Sequence, residues 1–210
     1  MRHAVGWIAT AAAVLAVGGC TGGGTPAPPS ASPVRVVLPG RPGESATVTD
    51  SDHIRAPDGS TYNAIDTTFV QLMIVHHAQA IRMAELAPQR AADAGLRALA
   101  ARISAAQQPE IATLRAWLQA RKLPETDPAH DHAGMPGMQP EAAMTALAAA
   151  QGTDFDHRFV TMMTAHHRGA IQMAADLLGG GTDQTLAEMA NEMSVEQGSE
   201  ISRLEQLPVG

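Results

Sequence analysis

Two histidine pairs, His76-His77 and His166-His167, stand ninety residues apart in almost the same wording: LMIVHHAQAIRMA from Leu72 to Ala84 and MMTAHHRGAIQMA from Met162 to Ala174. Imidazole nitrogen binds metals and moves protons. The thioethers of Met73, Met83, Met163 and Met173 are soft donors, and sulfur with imidazole suits copper, above all Cu(I). Methionine is also an adaptable core filler. Part of this set, which extends to Met162, Met189 and Met193, is therefore expected to pack only.

A third stretch, HDHAGMPGM at 130–138, places His130, His132, Met135 and Met138 within nine residues. Gly and Pro break it, so it reads as a flexible loop with no core-packing role. A short His/Met-rich tract is a metal-binding composition, again favouring copper. A solvated linker that happens to hold two histidines is the alternative.

Repetition organises the elements that must position these groups. Asp66, Phe69, Val70, Met73, His76, His77, Ala80, Ile81, Met83 and Ala84 recur, ninety residues on, as Asp156, Phe159, Val160, Met163, His166, His167, Ala170, Ile171, Met173 and Ala174. The register continues without a gap: Leu96, Gln107, Glu110, Ile111 and Leu114 fall on Leu186, Gln197, Glu200, Ile201 and Leu204. The unit occurs twice, which is duplication and not a solenoid.

Both segments of each unit read as helix. Helices are expected from near Asn63 to Pro88, from about Ala91 to Lys122, from near Thr153 to the glycines at 179–181, and from Thr182 to about Leu207. A short one is expected over Pro140 to Ala150. Asn63 and Thr153 are N-cap candidates, with Asp66 and Asp156 three residues on. Pro109 is expected to kink the second helix. Strand signals are not evident. The fold class is all-α: two helical hairpins making a four-helix bundle.

Advancing about 100° per residue puts Phe69, Met73, His76, His77, Ala80, Ile81, Met83 and Ala84 on one inward stripe. Val75, Ala78, Gln79, Arg82 and Glu85 fall opposite. A buried imidazole needs a partner. Gln107, Glu110, Gln197 and Glu200, on the inward faces of the other two helices, can serve as hydrogen-bond partners or as support behind metal-bound histidines. Asp66 and Asp156 could supply oxygen ligands, but first-turn acids interacting with a helix N-terminus explain them better. His157 points off the stripe, and His53 lies outside the helical region.

The chain begins MRHAVGWIATAAAVLAVGGC. A positive start, a short apolar run and small residues before Cys20 read as an export signal over 1–19, ending in what looks like a bacterial lipobox. That implies lipid attachment at Cys20 and an extracytoplasmic face of the cell membrane. An ordinary secretory signal with an incidental cysteine is the alternative. Residues 20–60, rich in Gly, Pro, Ser and Thr, read as a disordered tether. Residues 61–210 make one domain, with halves at about 63–122 and 153–207. The net charge of −7 argues against nucleic acid as a partner; a protein partner is not identified.

The pattern D-x-x-F-x-x-x-M-x-x-H-H-x-x-A-I-x-M-A, with Q-x-x-E-I at Gln107 and Gln197, resembles the bacterial "domain of unknown function" family numbered 305. The resemblance covers about Asn63 to Leu207 and implies a ferritin-like, up-down four-helix fold. Some members are similar to periplasmic copper-binding proteins. This implies metal handling through Met73, His76, His77 and Met83 with Met163, His166, His167 and Met173. Pro109 interrupts the Gln-Glu segment in the first half only, so the first half departs further from the pattern.

Three functions compete. One is a lipoprotein that sequesters or transfers copper. A metal-free structural or interaction module is the second. The third is a ferritin-like di-metal oxidase, but such sites use Glu-x-x-His and more carboxylates than this chain offers. No nucleophile triad is present, so the expectation is a binder and not an enzyme.

Overall fold

The computed structural model describes Arg35–Leu38, Thr47–Asp50 and residues 61–209. The export signal, Cys20, His53 and most of the tether lie outside the described residues. Among the described residues six helices follow one another: α1 (Ala64–Ala84), α2 (Ala87–Arg90), α3 (Ala94–Arg121), α4 (Glu141–Ala149), α5 (Gly152–Gly180) and α6 (Gln184–Glu205). The long helices α1, α3, α5 and α6 form the bundle. Strands β1 (Arg35–Leu38) and β2 (Thr47–Asp50) pair antiparallel, with Arg35 opposite Asp50 and Leu38 opposite Thr47. The pair falls within the stretch expected to be tether, where the sequence shows no evident strand signal. RVVL and TVTD are rich in β-branched residues, which favour a pleated surface, but each is too short to display an alternating pattern.

Local chemistry sets the helix ends. Asn63 Oδ1 accepts from the amides of Ile65 (2.8 Å) and Asp66 (3.1 Å), and Asp66 accepts from Asn63 N at 2.8 Å, a reciprocal capping box. The first helix stops at Ala84, and Pro88 opens the separate turn α2. The N-cap expected at Thr153 is not used. Helix α5 starts at Gly152, and Gln151 precedes it without a side-chain cap. Asp156 cannot complete a box there, because its carboxylate accepts from Ala92 N and Asp93 N, at 3.1 and 2.9 Å. Helix α3 runs through Pro109 as one element.

Two apolar clusters occupy opposite ends of the bundle. The first joins Phe69, Val70 and Met73 of α1 with Leu114 and Trp117 of α3, Met173 and Leu177 of α5, and Leu186 and Met193 of α6. The second joins Met83 and Ala84, Leu96 to Ile103, Phe155 to Met163, and Leu204. Helix α1 therefore runs from the first end to the second, α3 and α5 run from the second to the first, and α6 returns. Each hairpin is up-down, but α3 and α5 point the same way. The connection between them must travel the length of the bundle, the single long crossover associated with ferritin-like bundles. Its path can be read in its contacts: Met135 packs in the first cluster, and Met144 and Leu147 in the second.

Candidate metal centre

His76, His77, His166 and His167 are fully buried. They occupy the middle of α1 and α5, between the two apolar clusters, and form a polar belt across the bundle. Gln107 and Gln197, also buried, and Glu200 complete it from α3 and α6. The rings of His76 and His166 stack across the α1–α5 contact, with centroids 3.7 Å apart and planes tilted by 34°. His166 and His167 centroids are 6.3 Å apart.

The two glutamates reach the outer histidine of each pair. His167 Nε2 donates to Glu200 Oε2 at 2.7 Å, with the Glu200 side chain almost fully buried. His77 Nε2 lies 2.8 Å from Glu110 Oε2, but the ring N–H is not aligned on the oxygen, and Glu110 is more open to solvent. The less regular contact thus falls in the half that carries Pro109. His76 Nε2 faces the carbonyl of Pro136 at 3.0 Å. Gln107 and Gln197 make no hydrogen bond through either amide atom, so the expected Gln–His bonds are not formed.

Burial dominates the electrostatics. It pushes His76 down to about 3, with help from the neighbouring His77 ring and against the Pro136 hydrogen bond. Burial likewise holds His166 well below the ordinary imidazole value, assisted by His76 and the other two rings. A charged imidazole in a water-poor interior is costly, so both rings are neutral at neutral pH. Glu196, at the solvent edge of α6, is raised by partial burial and then by the like charges of Glu110 and Glu200.

These residues fit a soft metal better than a hard one. Metal binding requires neutral imidazole with a free lone pair, and the Nδ1 atoms of all four histidines are buried with no hydrogen-bond partner. Among the described residues, no three His, Cys, Asp or Glu side chains are grouped so that one ion could meet them all. A bound ion would need sulfur as well. Met73 and Met173 stand on the first-cluster side of the belt, Met83 and Met163 on the second. Met162, Met189 and Met193 also serve the clusters, as expected of packing methionines.

The crossover departs from expectation. The stretch 130–138 is not free of packing duties: Met135 is buried in the first cluster and Met138 packs against it. Its methionines turn inward because the compulsory path along the bundle brings them over apolar surface. His130 and His132 stay half-buried, with centroids 6.2 Å apart and each Nδ1 unpartnered. The loop residues therefore separate into an outer imidazole pair and an inner thioether pair.

Sequence reasoning missed the residues that dock this crossover. Gln79, expected to face solvent, is buried: its Nε2 donates to Gln139 O at 2.9 Å and its Oε1 accepts from Gln139 N at 2.7 Å. Gly137 adopts φ +75°, and a Cβ there would meet the carbonyls of Ala165 and His166 at 2.6 and 2.8 Å. A Cβ on Gly169 would overlap the Pro136 carbonyl oxygen at 2.0 Å. Gln79 and Gly169 are equivalent positions of the repeat. Their divergence was the available signal: one repeat grips the crossover and the other makes room for it.

Asp66 and Asp156 engage their carboxylates with backbone amides at the helix starts of the opposite half. Asp66 accepts from Thr182 N (3.0 Å) and Asp183 N (3.3 Å), as Asp156 does from Ala92 N and Asp93 N. His157 is exposed, as expected. Among the described residues, no helix is long and apolar enough to cross a membrane.

Residues 66–208 match the family described as "Domain of unknown function (DUF305)". No curated protein matches the chain. Among solved structures, a protein from Streptomyces coelicolor described as a secreted DUF305 protein is 30% identical, with TM-score 0.63, covering 67% of this chain and 89% of that one. A DUF305 fragment from Deinococcus radiodurans is 29% identical, with TM-score 0.64, covering 69% and 95%. CopM in its Cu(I)-bound form is 31% identical, with TM-score 0.58, covering 67% and 93%. CopM is also solved in Cu(II)-bound, Ag-bound and apo forms.

Proposed function

The chain belongs to the DUF305 family, and on that footing we propose that it is an extracytoplasmic, membrane-anchored copper-binding protein that sequesters the ion or passes it on. The observation that carries this reading is the belt of four buried imidazoles with unpartnered Nδ1 atoms, set between methionine-bearing clusters. The copper-bound and silver-bound forms of CopM support it at the family level. His76, His77, His166 and His167 would hold the ion with thioethers drawn from Met73, Met83, Met163 and Met173. This donor set favours Cu(I). His130 and His132 would capture ions at the surface, with lipid on Cys20 holding the protein at the membrane. The protein acts as a binder and not an enzyme: Glu110 and Glu200 are engaged with histidines, leaving too few carboxylates for a di-iron centre.

A second reading, a metal-free module, is favoured by the His167–Glu200 hydrogen bond, which satisfies a buried ring without any ion. An anaerobic Cu(I) titration of the purified protein against a chromophoric chelator separates the two. Met73→Leu with Met173→Leu keeps core volume and should cost less than about 1.5 kcal/mol per site. Affinity lost in that variant while stability holds would support copper ligation. His130→Ala with His132→Ala reads the outer pair alone. An intact protein that cannot compete with the chelator would leave the metal-free module as the better account.

A further inference from the structure

Resting on the copper-binding reading, we infer that the metal-binding atom of His76, His77 and His167 is Nδ1, selected by three oxygen acceptors that face the opposite ring nitrogen. A neutral imidazole carries one N–H and one lone pair, and only the lone pair can meet a metal. Carbonyl and carboxylate oxygens accept and do not donate. The ring nitrogen facing such an oxygen must therefore carry the hydrogen.

That rule applies to each ring in turn. His76 Nε2 faces the Pro136 carbonyl at 3.0 Å. His167 Nε2 faces Glu200 Oε2 at 2.7 Å. His77 Nε2 lies 2.8 Å from Glu110 Oε2, where the negative charge favours the same tautomer even though the N–H is off the line. In all three the lone pair is left on Nδ1, and in all three Nδ1 is buried without a partner. An orphaned buried acceptor ordinarily costs about 1–3 kcal/mol. Three of the same kind in one belt are unsatisfied acceptors in the metal-free chain and ready donors to an ion.

The division of labour follows. Helices α1 and α5 supply the lone pairs. The crossover, α3 and α6 supply the oxygens that orient them, as partners on the far nitrogen do at metal-bound histidines generally. Pro136, Glu110 and Glu200 are positioning residues. His166, with no side-chain or crossover oxygen hydrogen-bonded to either nitrogen, is left out of this assignment.

Long-range proton–nitrogen correlation on the purified, metal-free protein labelled with 15N-histidine reads the tautomers directly. The Nε2–H form is expected for His76, His77 and His167; the Nδ1–H form at His76 or His167 would overturn the inference. Ag(I), a diamagnetic stand-in for Cu(I) with a spin-1/2 nucleus, is then added. Silver–nitrogen coupling is expected at Nδ1. Coupling at Nε2 would sink this assignment and leave the binding reading intact. Ag(I) that leaves every helical histidine unchanged would remove the site and the assignment together. Glu200→Ala should let the His167 tautomer average and lower Ag(I) affinity by about 10–100-fold. Glu200→Gln, whose amide oxygen still accepts, should restore the tautomer.

Discussion

The imidazole of His76 lies against that of His166, ring centre to ring centre at 3.7 Å, where α1 meets α5. Two charged rings at that distance, without water between them, would repel strongly, so the pair persists only while neutral. The arrangement gives the metal-free protein a pH dependence with a definite sign. The folded value of His76 is depressed, to about 3 from 6.5, and that of His166 is depressed too. The unfolded chain therefore binds protons first on acidification. The stabilising contribution is present in full above about pH 6.5 and is lost as the pH falls toward 3, at no more than about 1.4 kcal/mol per pH unit for each ring. Urea midpoints at pH 7, 6 and 5 should fall in that order. A His76→Gln variant should show a shallower fall. An equal slope in both would contradict the assignment of the proton uptake to this ring.

Glu200 and Glu110 are equivalent in the repeat but not in geometry. Removing Glu200 leaves the His167 ring buried without its acceptor and should cost about 1–3 kcal/mol. Glu110→Ala should cost less, because that contact is misaligned and more solvated. Paired denaturation curves of Glu110→Ala and Glu200→Ala test the order.

Gly169 is the point of closest approach between α5 and the crossover. Gly169→Ala forces the Pro136 carbonyl away from its present position and with it the bond to His76. Overpacking of this kind costs about 1–3 kcal/mol. Hydrogen exchange at the Gln139 amide should accelerate as the Gln79 clamp loosens. At the equivalent site of the other repeat, Gln79→Ala should speed the same exchange by removing both clamp bonds. Unchanged exchange in Gly169→Ala would mean that the Gln79 clamp holds independently of the Gly169–Pro136 contact.

Asp66 and Asp156 each serve the opposite half. Asp66→Ala should strand three backbone donors, those of Asn63, Thr182 and Asp183, and Asp156→Ala two, those of Ala92 and Asp93; each should lower stability by about 2 kcal/mol or more, hydrogen bonds to a charged group being stronger than average. The two carboxylates act at opposite ends of the bundle. Their effects should therefore add in the double variant within about 0.5 kcal/mol. Thermal unfolding of the four proteins measures this.

The bundle was legible in the sequence because helical period, duplication and Pro/Gly breaks all agreed, and the inward stripe put all four histidines where they lie. Glu110 and Glu200 were legible as partners because they repeat at matched positions. The crossover was not legible. Its composition reads as solvated loop, and what buries Met135 is the path forced on it by the parallel course of α3 and α5, a property of topology and not of any local run. Pro136 was missed for a related reason: its contribution is a backbone carbonyl, which carries no side-chain signature. The β1–β2 pair escaped because four-residue strands do not establish a period. Thr153 was mistaken for a cap because Asp156 is recruited by a turn sixty-odd residues away in the chain.

The exchange of carboxylates between halves has a bearing on assembly. Asp66 closes the turn that starts α6, and Asp156 closes the turn that starts α3, so neither hairpin contains the acid that completes its own turn. That is the pattern of an isologous contact, in which the same patch on each partner meets the other. The fused chain is organised internally as a two-fold dimer would be. A hairpin separated from its twin would find the missing carboxylate, the stacked imidazole and half of each apolar cluster only in a second copy. The crossover converts a concentration-dependent encounter into an intramolecular one, and it breaks the symmetry of that dimer by lying over one side of the histidine belt.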